Sequence, residues 1–292
     1  MLYIIGFLII FFFVDVKKAL YQTRLATLNR LRPERFDYIV DFDRKKDLYN
    51  KEKLDQFRRY YDKVSKFVPD RPDAYGLYGY TLYYLGNQKA ALRAYQEALE
   101  LNPEFIFYYH NLACIYYEQK EYQAALEAAR KGLTVDPLMA IEGIKKSVRL
   151  YVPLIVIKEN SEKRSVEKDI KKAHYNFYIV SILSYFHLQD YNNMMKAIAG
   201  LRLIYPDSKG YFSFYSGIAA FYQNNYPAAI QEFKAALEKN GENYEAWLYL
   251  GKTLEKTGNE VYAKNAYQQA ERLKATAEPS SLLEEPPDLF LY

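Results

Sequence analysis

His110 and Cys114 are the two side chains whose types and spacing come nearest to a reactive site. Four residues apart on a helix, they would face the same side and could share one metal ion. A structural zinc site needs four ligands, and a catalytic one needs three plus water. The chain holds three histidines and one cysteine, and the remaining histidines are His174 and His187. The pair therefore reads as packing, and neither a metal nor a cofactor is expected. No phosphate-cradling GxxxxGK[ST], HExxH, GxSxG or CxxC occurs. The scattered carboxylates nominate no acid–base pair. A lone cysteine excludes an intramolecular disulfide and implies no redox compartment. The net charge of +4 comes from 40 basic and 36 acidic residues, which is no nucleic-acid footprint. No catalytic residues are nominated, and the chain is expected not to be an enzyme. What it does have is ring surface, with 32 tyrosines and 17 phenylalanines.

The elements that position those rings follow from a repeat. Pro69, Pro103 and Pro137 fall 34 residues apart, and Pro206 comes 69 residues later, one mark having been skipped. Ala91, Ala125, Met194, Ala229 and Ala263 keep this beat, as do Gly79, Ala113, Ile182, Gly217 and Gly251. Such a period means stacked supersecondary units. Each unit reads as two amphipathic helices around a polar turn: Gly86-Asn87, Lys120-Glu121, Gln189-Asp190, Asn224-Asn225 and Gly258-Asn259. Small residues sit where paired helices approach, aromatics fill the gaps, and proline follows the second helix because it cannot continue it.

The pattern Trp247-x-x-Leu250-Gly251-x-x-Leu254, followed by Ala263, Tyr267 and Ala270, resembles the tetratricopeptide repeat family. So does Tyr75-x-x-Tyr78-Gly79-x-x-Leu82, with Ala91, Tyr95, Ala98 and Pro103. The resemblance implies an all-α helical solenoid, a right-handed superhelix of helix-turn-helix repeats. Repeats are placed at 72–105, 106–139, 175–208, 210–243 and 244–277, after a half repeat at 52–69. Residues 140–174 have the length of a repeat without its marks. Lys171 stands where proline is due, and Pro153 interrupts the apolar stretch Leu150–Ile157. This segment reads as a degenerate repeat whose second helix starts near Ser161 and runs on toward the next unit. It is either a hinge or docking element, or a unit that drifted while keeping its packing. The continuous array suggests one elongated domain.

Leu2 to Val14 is apolar throughout and Lys17 and Lys18 follow. Thirteen helical residues span only ~20 Å against a bilayer core of ~30 Å. No basic leader or small-x-small cleavage site is visible. Residues 1–16 are therefore expected to be a short single-pass membrane anchor, helped by snorkelling lysines. Residues 17–51 follow as a basic juxtamembrane stalk and linker. Because Lys17, Lys18, Arg24, Arg30, Arg32 and Arg35 all follow the apolar run, the repeats are expected to face the cytoplasm. The tail at 278–292 is acidic at Glu278, Glu284, Glu285 and Asp288, carries Pro279, Pro286 and Pro287, and finishes in Leu289, Phe290, Leu291 and Tyr292.

Helical spacing gives the first helices a second apolar face beyond the one that packs. It carries Tyr80, Tyr83 and Tyr84; Phe107, His110 and Tyr117; Ile179, Leu183, Phe186 and His187; and Tyr211, Phe214, Ile218, Phe221 and Tyr222. In the family this face lines the concave groove. A carboxylate-clamp version grips acidic peptide ends there with Lys, Asn and Arg, but the places of its Lys–Asn pair hold Gly76 and Tyr80 here. The expected function is a membrane-tethered adaptor or assembly scaffold that captures a protein or apolar peptide segment in an aromatic groove. In layout it is similar to bacterial anchored repeat adaptors of envelope biogenesis. The alternatives are a carrier or chaperone for a lipid-like ligand, and a structural spacer or oligomerisation module. Self-docking of the apolar tail into the groove is a further expectation. No nucleic-acid partner is expected.

Overall fold

Every short turn inside a repeat is built the same way, and that construction sets the fold. The computed structural model describes residues 51–67, 69–142, 159–206 and 212–276. Its helices are α1 (Lys51–Phe67), α2 (Pro72–Tyr84), α3 (Gln88–Leu101), α4 (Ile106–Glu118), α5 (Tyr122–Thr134) and α6 (Glu159–His187). After these come α7 (Tyr191–Ile204), α8 (Ser213–Tyr222), α9 (Tyr226–Lys239), α10 (Tyr244–Lys256) and α11 (Glu260–Thr276). The first helix of each pair ends in a left-handed residue: Gly86, Lys120, Gln189, Asn224 or Gly258, with φ between +56° and +83°. That residue turns the chain so that the next amide reaches back over the last helical turn. Asn87 N–H bonds to the Leu82 carbonyl at 2.8 Å, and Asp190 to Tyr185, Asn225 to Ala220 and Asn259 to Leu254 follow at 2.8–2.9 Å. This is a helix-terminating motif that satisfies orphan carbonyls. Asn87, Asp190 and Asn225 then cap the second helix by accepting from Ala90, Asn193 and Ala228 amides.

The second helices bury small residues at helical spacing. In α3 these are Ala91, Ala94 and Ala98 around Tyr95. Glycines on the facing first helices admit the large rings. A Cβ on Gly251 would lie 2.7 Å from Tyr267, and one on Gly217 would lie 2.6 Å from Phe233. Phe233 is fully buried, a burial that contributes about 1.5–3 kcal/mol. Repeat-length spacing of small and aromatic residues is thus the packing code of the fold.

The contacts divide the chain into two compact units. Among the described residues, unit 1 takes 51–111 with 136–142, and unit 2 takes 112–135 with 160–276. Unit 2 has a core in which Ile179, Ile182, Leu183, Met194, Ile198, Phe212, Phe214, Ile218 and Phe233 are buried together.

The Phe177 ring of α6 packs onto Gly132 of α5, where a Cβ would sit 2.1 Å from it. His187 of α6 stacks on Tyr122 of α5. Helices α5 and α6 therefore pack against each other within unit 2, and residues 143–158 of the degenerate repeat read at 140–174 lie outside the described residues. α6 runs 29 residues without proline or glycine, from Glu159 to His187. The apolar run Leu2–Val14, the stalk, the Leu150–Ile157 stretch and the tail all lie outside the described residues. Within those residues no helix is long and apolar enough to cross a membrane.

Candidate protein-binding face

In unit 1 the sequence-nominated rings are mostly interior. Tyr80 and Tyr83 of α2 and Phe107 of α4 are buried, and Tyr84 is half-buried. Tyr84 packs on Tyr80 at 4.7 Å and on Tyr83 at 5.1 Å, and Phe107 meets Phe105 edge-on at 5.4 Å. His110 is fully buried, with Nδ1 3.3 Å from Asn111 Oδ1, and Cys114 is buried as well. His110 and Cys114 are thus packing residues, and no group of three metal-capable side chains occurs among the described residues. A buried ion pair closes the start of α2. Arg71 Nε donates to Asp73 Oδ1 at 3.1 Å, and a second guanidinium nitrogen reaches Oδ2. Burial raises the Asp73 pKa against the opposing pull of Arg71. At Gly76, where a clamp lysine would stand, the Tyr108 ring occupies the space a Cβ would need, 2.3 Å away, and its hydroxyl donates to the Pro72 carbonyl at 3.1 Å.

In unit 2 the nominated residues separate into support and surface. Ile179, Leu183, Phe214 and Ile218 are buried in the core. They lie in the core rather than at the surface. Tyr211 lies outside the described residues. Tyr117, Phe186 and Phe221 are half-buried, and Tyr222 is 48% exposed. Phe186 meets Tyr215 edge-on at 5.4 Å.

The structure adds rings that the helical-face argument missed. Tyr122 and Tyr191 each open the second helix of a repeat. Tyr122 stacks on His187 at 4.5 Å and 8°, and Tyr191 stacks on Tyr222 at 4.3 Å and 2°. The two stacks are equivalent, each joining the start of a second helix to the end of the first helix packed against it. The Tyr117 hydroxyl shares a hydrogen bond with His187 Nε2 at 3.3 Å. Tyr249 of α10 is the other missed ring. Its hydroxyl is 3.4 Å from that of Tyr222, Phe221 meets it edge-on at 5.7 Å, and Lys252 Nζ stands 4.5 Å from its centroid. A signal was available, since Tyr122, Tyr191 and Tyr226 recur with the repeat.

Protonation states follow from this packing. Burial raises the Tyr117 pKa to about 12, with Tyr122 adding to it. Burial and then Tyr222 raise Tyr191 to about 12, and Tyr249 is pushed higher still by burial and by its bond with Tyr222. These hydroxyls are neutral donors and acceptors at physiological pH. Burial lowers the His187 pKa and Lys120 adds to the shift, so neutral imidazole is favoured.

A stack of helical hairpins with an aromatic edge defines a helical-repeat protein built for contact. Tetratricopeptide repeat models match residues 216–278, 79–120 and 106–138. The chain belongs to the tetratricopeptide repeat family. It is 30% identical over 140 residues to Hsp70-Hsp90 organizing protein 2 of Arabidopsis thaliana, covering 46% of this chain and 24% of that protein. It is 30% identical over 96 residues to an N-terminal acetyltransferase A complex subunit-like protein of Schizosaccharomyces pombe, covering 33% and 14%. The matches thus span about a quarter or less of these relatives' lengths. The crystal structure of YrrB, described as a TPR protein with an unusual peptide-binding site, superposes with TM-score 0.53 at 15% identity, over 74% of this chain and 92% of that one. That likeness is one of fold.

Proposed function

We propose that this protein is a non-catalytic adaptor that captures an apolar or aromatic peptide segment of a partner protein on the unit 2 face formed by Phe186, Phe221, Tyr222 and Tyr249. The observation that carries the reading is Tyr222, a large ring 48% exposed yet held rigid by its stack on Tyr191 and its bond to Tyr249. A pre-ordered amphipathic ring offers contact area at small entropic cost and a hydroxyl to orient the ligand. Relatives named for organising or belonging to protein assemblies support the same class of function. The recognition chemistry differs from a carboxylate grip, because Gly76 and Tyr80 leave no lysine–asparagine pair.

The proposal includes a tether. The apolar run Leu2–Val14 and the basic residues after it support single-pass anchoring, with the repeats on the cytoplasmic side. Full-length protein should then stay with membranes through alkaline carbonate, and protease outside intact cells should leave the repeats uncut. Recovery of intact protein in the soluble fraction rejects the tether. For the binding face, partner capture in the native cell should fall about tenfold or more in Phe221→Ala/Tyr222→Ala, as for interfacial hot spots. Unchanged capture rejects the face.

A further inference from the structure

We propose that residues 278–292 of this chain dock on the α8–α10 end of the unit 2 face and compete there with the partner. This rests on the reading of that face as the binding surface.

Geometry supplies the reach. The three-residue link 257–259 makes α10 and α11 an antiparallel pair, so Thr276 lies at the end of the pair where α10 begins. Tyr249 is five residues into α10 from Tyr244, a rise of about 8 Å. Eight extended residues after Thr276 cover about 25 Å, which places Glu284 and Glu285 within reach of that face. The helix that leads into the segment, α11, belongs to unit 2.

Chemistry supplies the match. Lys252 stands over Tyr249 and Lys256 follows it one helical turn later on α10, and neither is in an ion pair among the described residues. Glu284, Glu285 and Asp288 bracket Pro286-Pro287, and Leu289, Phe290 and Leu291 follow. The acidic stretch complements the lysines, while the apolar stretch suits the exposed ring of Tyr222. Pro286-Pro287 favours an extended polyproline conformation, which loses little entropy on docking against tyrosines. A short tether gives an effective concentration near millimolar, so a weak contact suffices to occupy the site. A partner must then displace the segment, which raises its apparent dissociation constant.

The test uses the full-length protein with a photoreactive benzoyl-phenylalanine in place of Tyr222, or in place of Leu203 as an exposed control elsewhere on unit 2. The expected result is crosslinking from position 222 to residues 282–291 within one chain, well above that from position 203. Glu284→Lys with Glu285→Lys should lower it about fivefold, the worth of two exposed ion pairs. Adding Lys252→Glu with Lys256→Glu should restore it. Equal yields at 222 and 203, indifference to the charge swap, or crosslinks that join only two different chains each overturn the proposal, the last in favour of a second copy. Removing 279–292 should strengthen partner capture in the native cell. If the tail contact is absent while Tyr222-dependent capture persists, self-docking alone fails. If both are absent, the binding-face reading fails with it.

Discussion

Tyr83-Tyr84 closes α2 in unit 1 and Phe221-Tyr222 closes α8 in unit 2, at equivalent places in the repeat, yet the two pairs do different work. Tyr83 is 6% exposed and Tyr84 half-buried, with Tyr84 packed on both Tyr80 and Tyr83, whereas Phe221 is half-buried and Tyr222 is 48% exposed and stacked sideways on Tyr191. The difference lies in the partners. Unit 1 has Tyr80 one turn earlier, so its rings close on each other. Unit 2 has Ile218 there, which sinks into the core, and its rings turn outward to Tyr191 and Tyr249. An aromatic pair at a helix end is therefore core or surface according to its neighbours, not its own type.

The largest expected effect breaks this comparison directly. Tyr83→Ala should destabilise the fold by about 3–5 kcal/mol through an internal cavity. Tyr222→Ala should cost under about 1 kcal/mol, because its ring is half in water already. Equal shifts in thermal unfolding would remove the distinction between the two faces.

Next in size are the glycines that admit rings. Gly251→Leu should cost about 1–3 kcal/mol by overpacking against Tyr267, while Lys252→Leu, one residue along, should cost little. Equal melting temperatures for Gly251→Leu and wild type would mean that the register of α10 is misread. Gly132→Leu tests the packing of α6 against α5. Combined with Phe177→Ala it should show a coupling of about 0.5–3 kcal/mol in a double-mutant cycle. Strict additivity would contradict the packing of the Phe177 ring on Gly132.

A smaller effect concerns His187, which belongs to the unit 2 edge and has no counterpart in unit 1, where the equivalent end of α2 is Tyr84. Its folded pKa is lowered, so the unfolded chain binds more protons below about pH 6.5, the ordinary histidine value. The contribution of the Tyr122–His187 stack should be intact above that pH and lost as pH falls through the folded value. Thermal melts at pH 7.5 and 5 should show a drop that is smaller in His187→Phe. His174, also lowered by burial, should leave a residual drop.

The smallest effect lies in the turns. Lys120 adopts φ +62° where the equivalent turn of unit 1 has Gly86 at +83°. Lys120→Gly should stabilise by about 0.5–1 kcal/mol, the relief of left-handed strain less the added chain entropy. A loss of stability would show that the Lys120 side chain contributes more than its backbone costs.

The sequence carried the repeat frame almost completely, because prolines, small residues and turn residues recur for backbone reasons that tertiary context does not override. Gly79, Gly217 and Gly251 meet Tyr95, Phe233 and Tyr267 as the spacing implies. The face was harder. Ile179 and Phe214 share helical phase with Phe186 and Phe221, and phase alone does not say which of them a neighbouring helix will cover. Tyr122 and Tyr191 escaped because they begin second helices, whereas the search followed first helices. The long run from Glu159 to His187 was legible as one helix because neither proline nor glycine interrupts it.

The central claim is that unit 2 presents its aromatic edge to a partner. Photocrosslinking from position 222 of the full-length protein in its native cell tests it most directly, with position 84 as the matched site in unit 1. The account predicts crosslinks to a distinct partner protein from 222, lost in Phe221→Ala, and few from 84. Partner crosslinks that are as strong from 84 as from 222, or that survive Phe221→Ala unchanged, would contradict it.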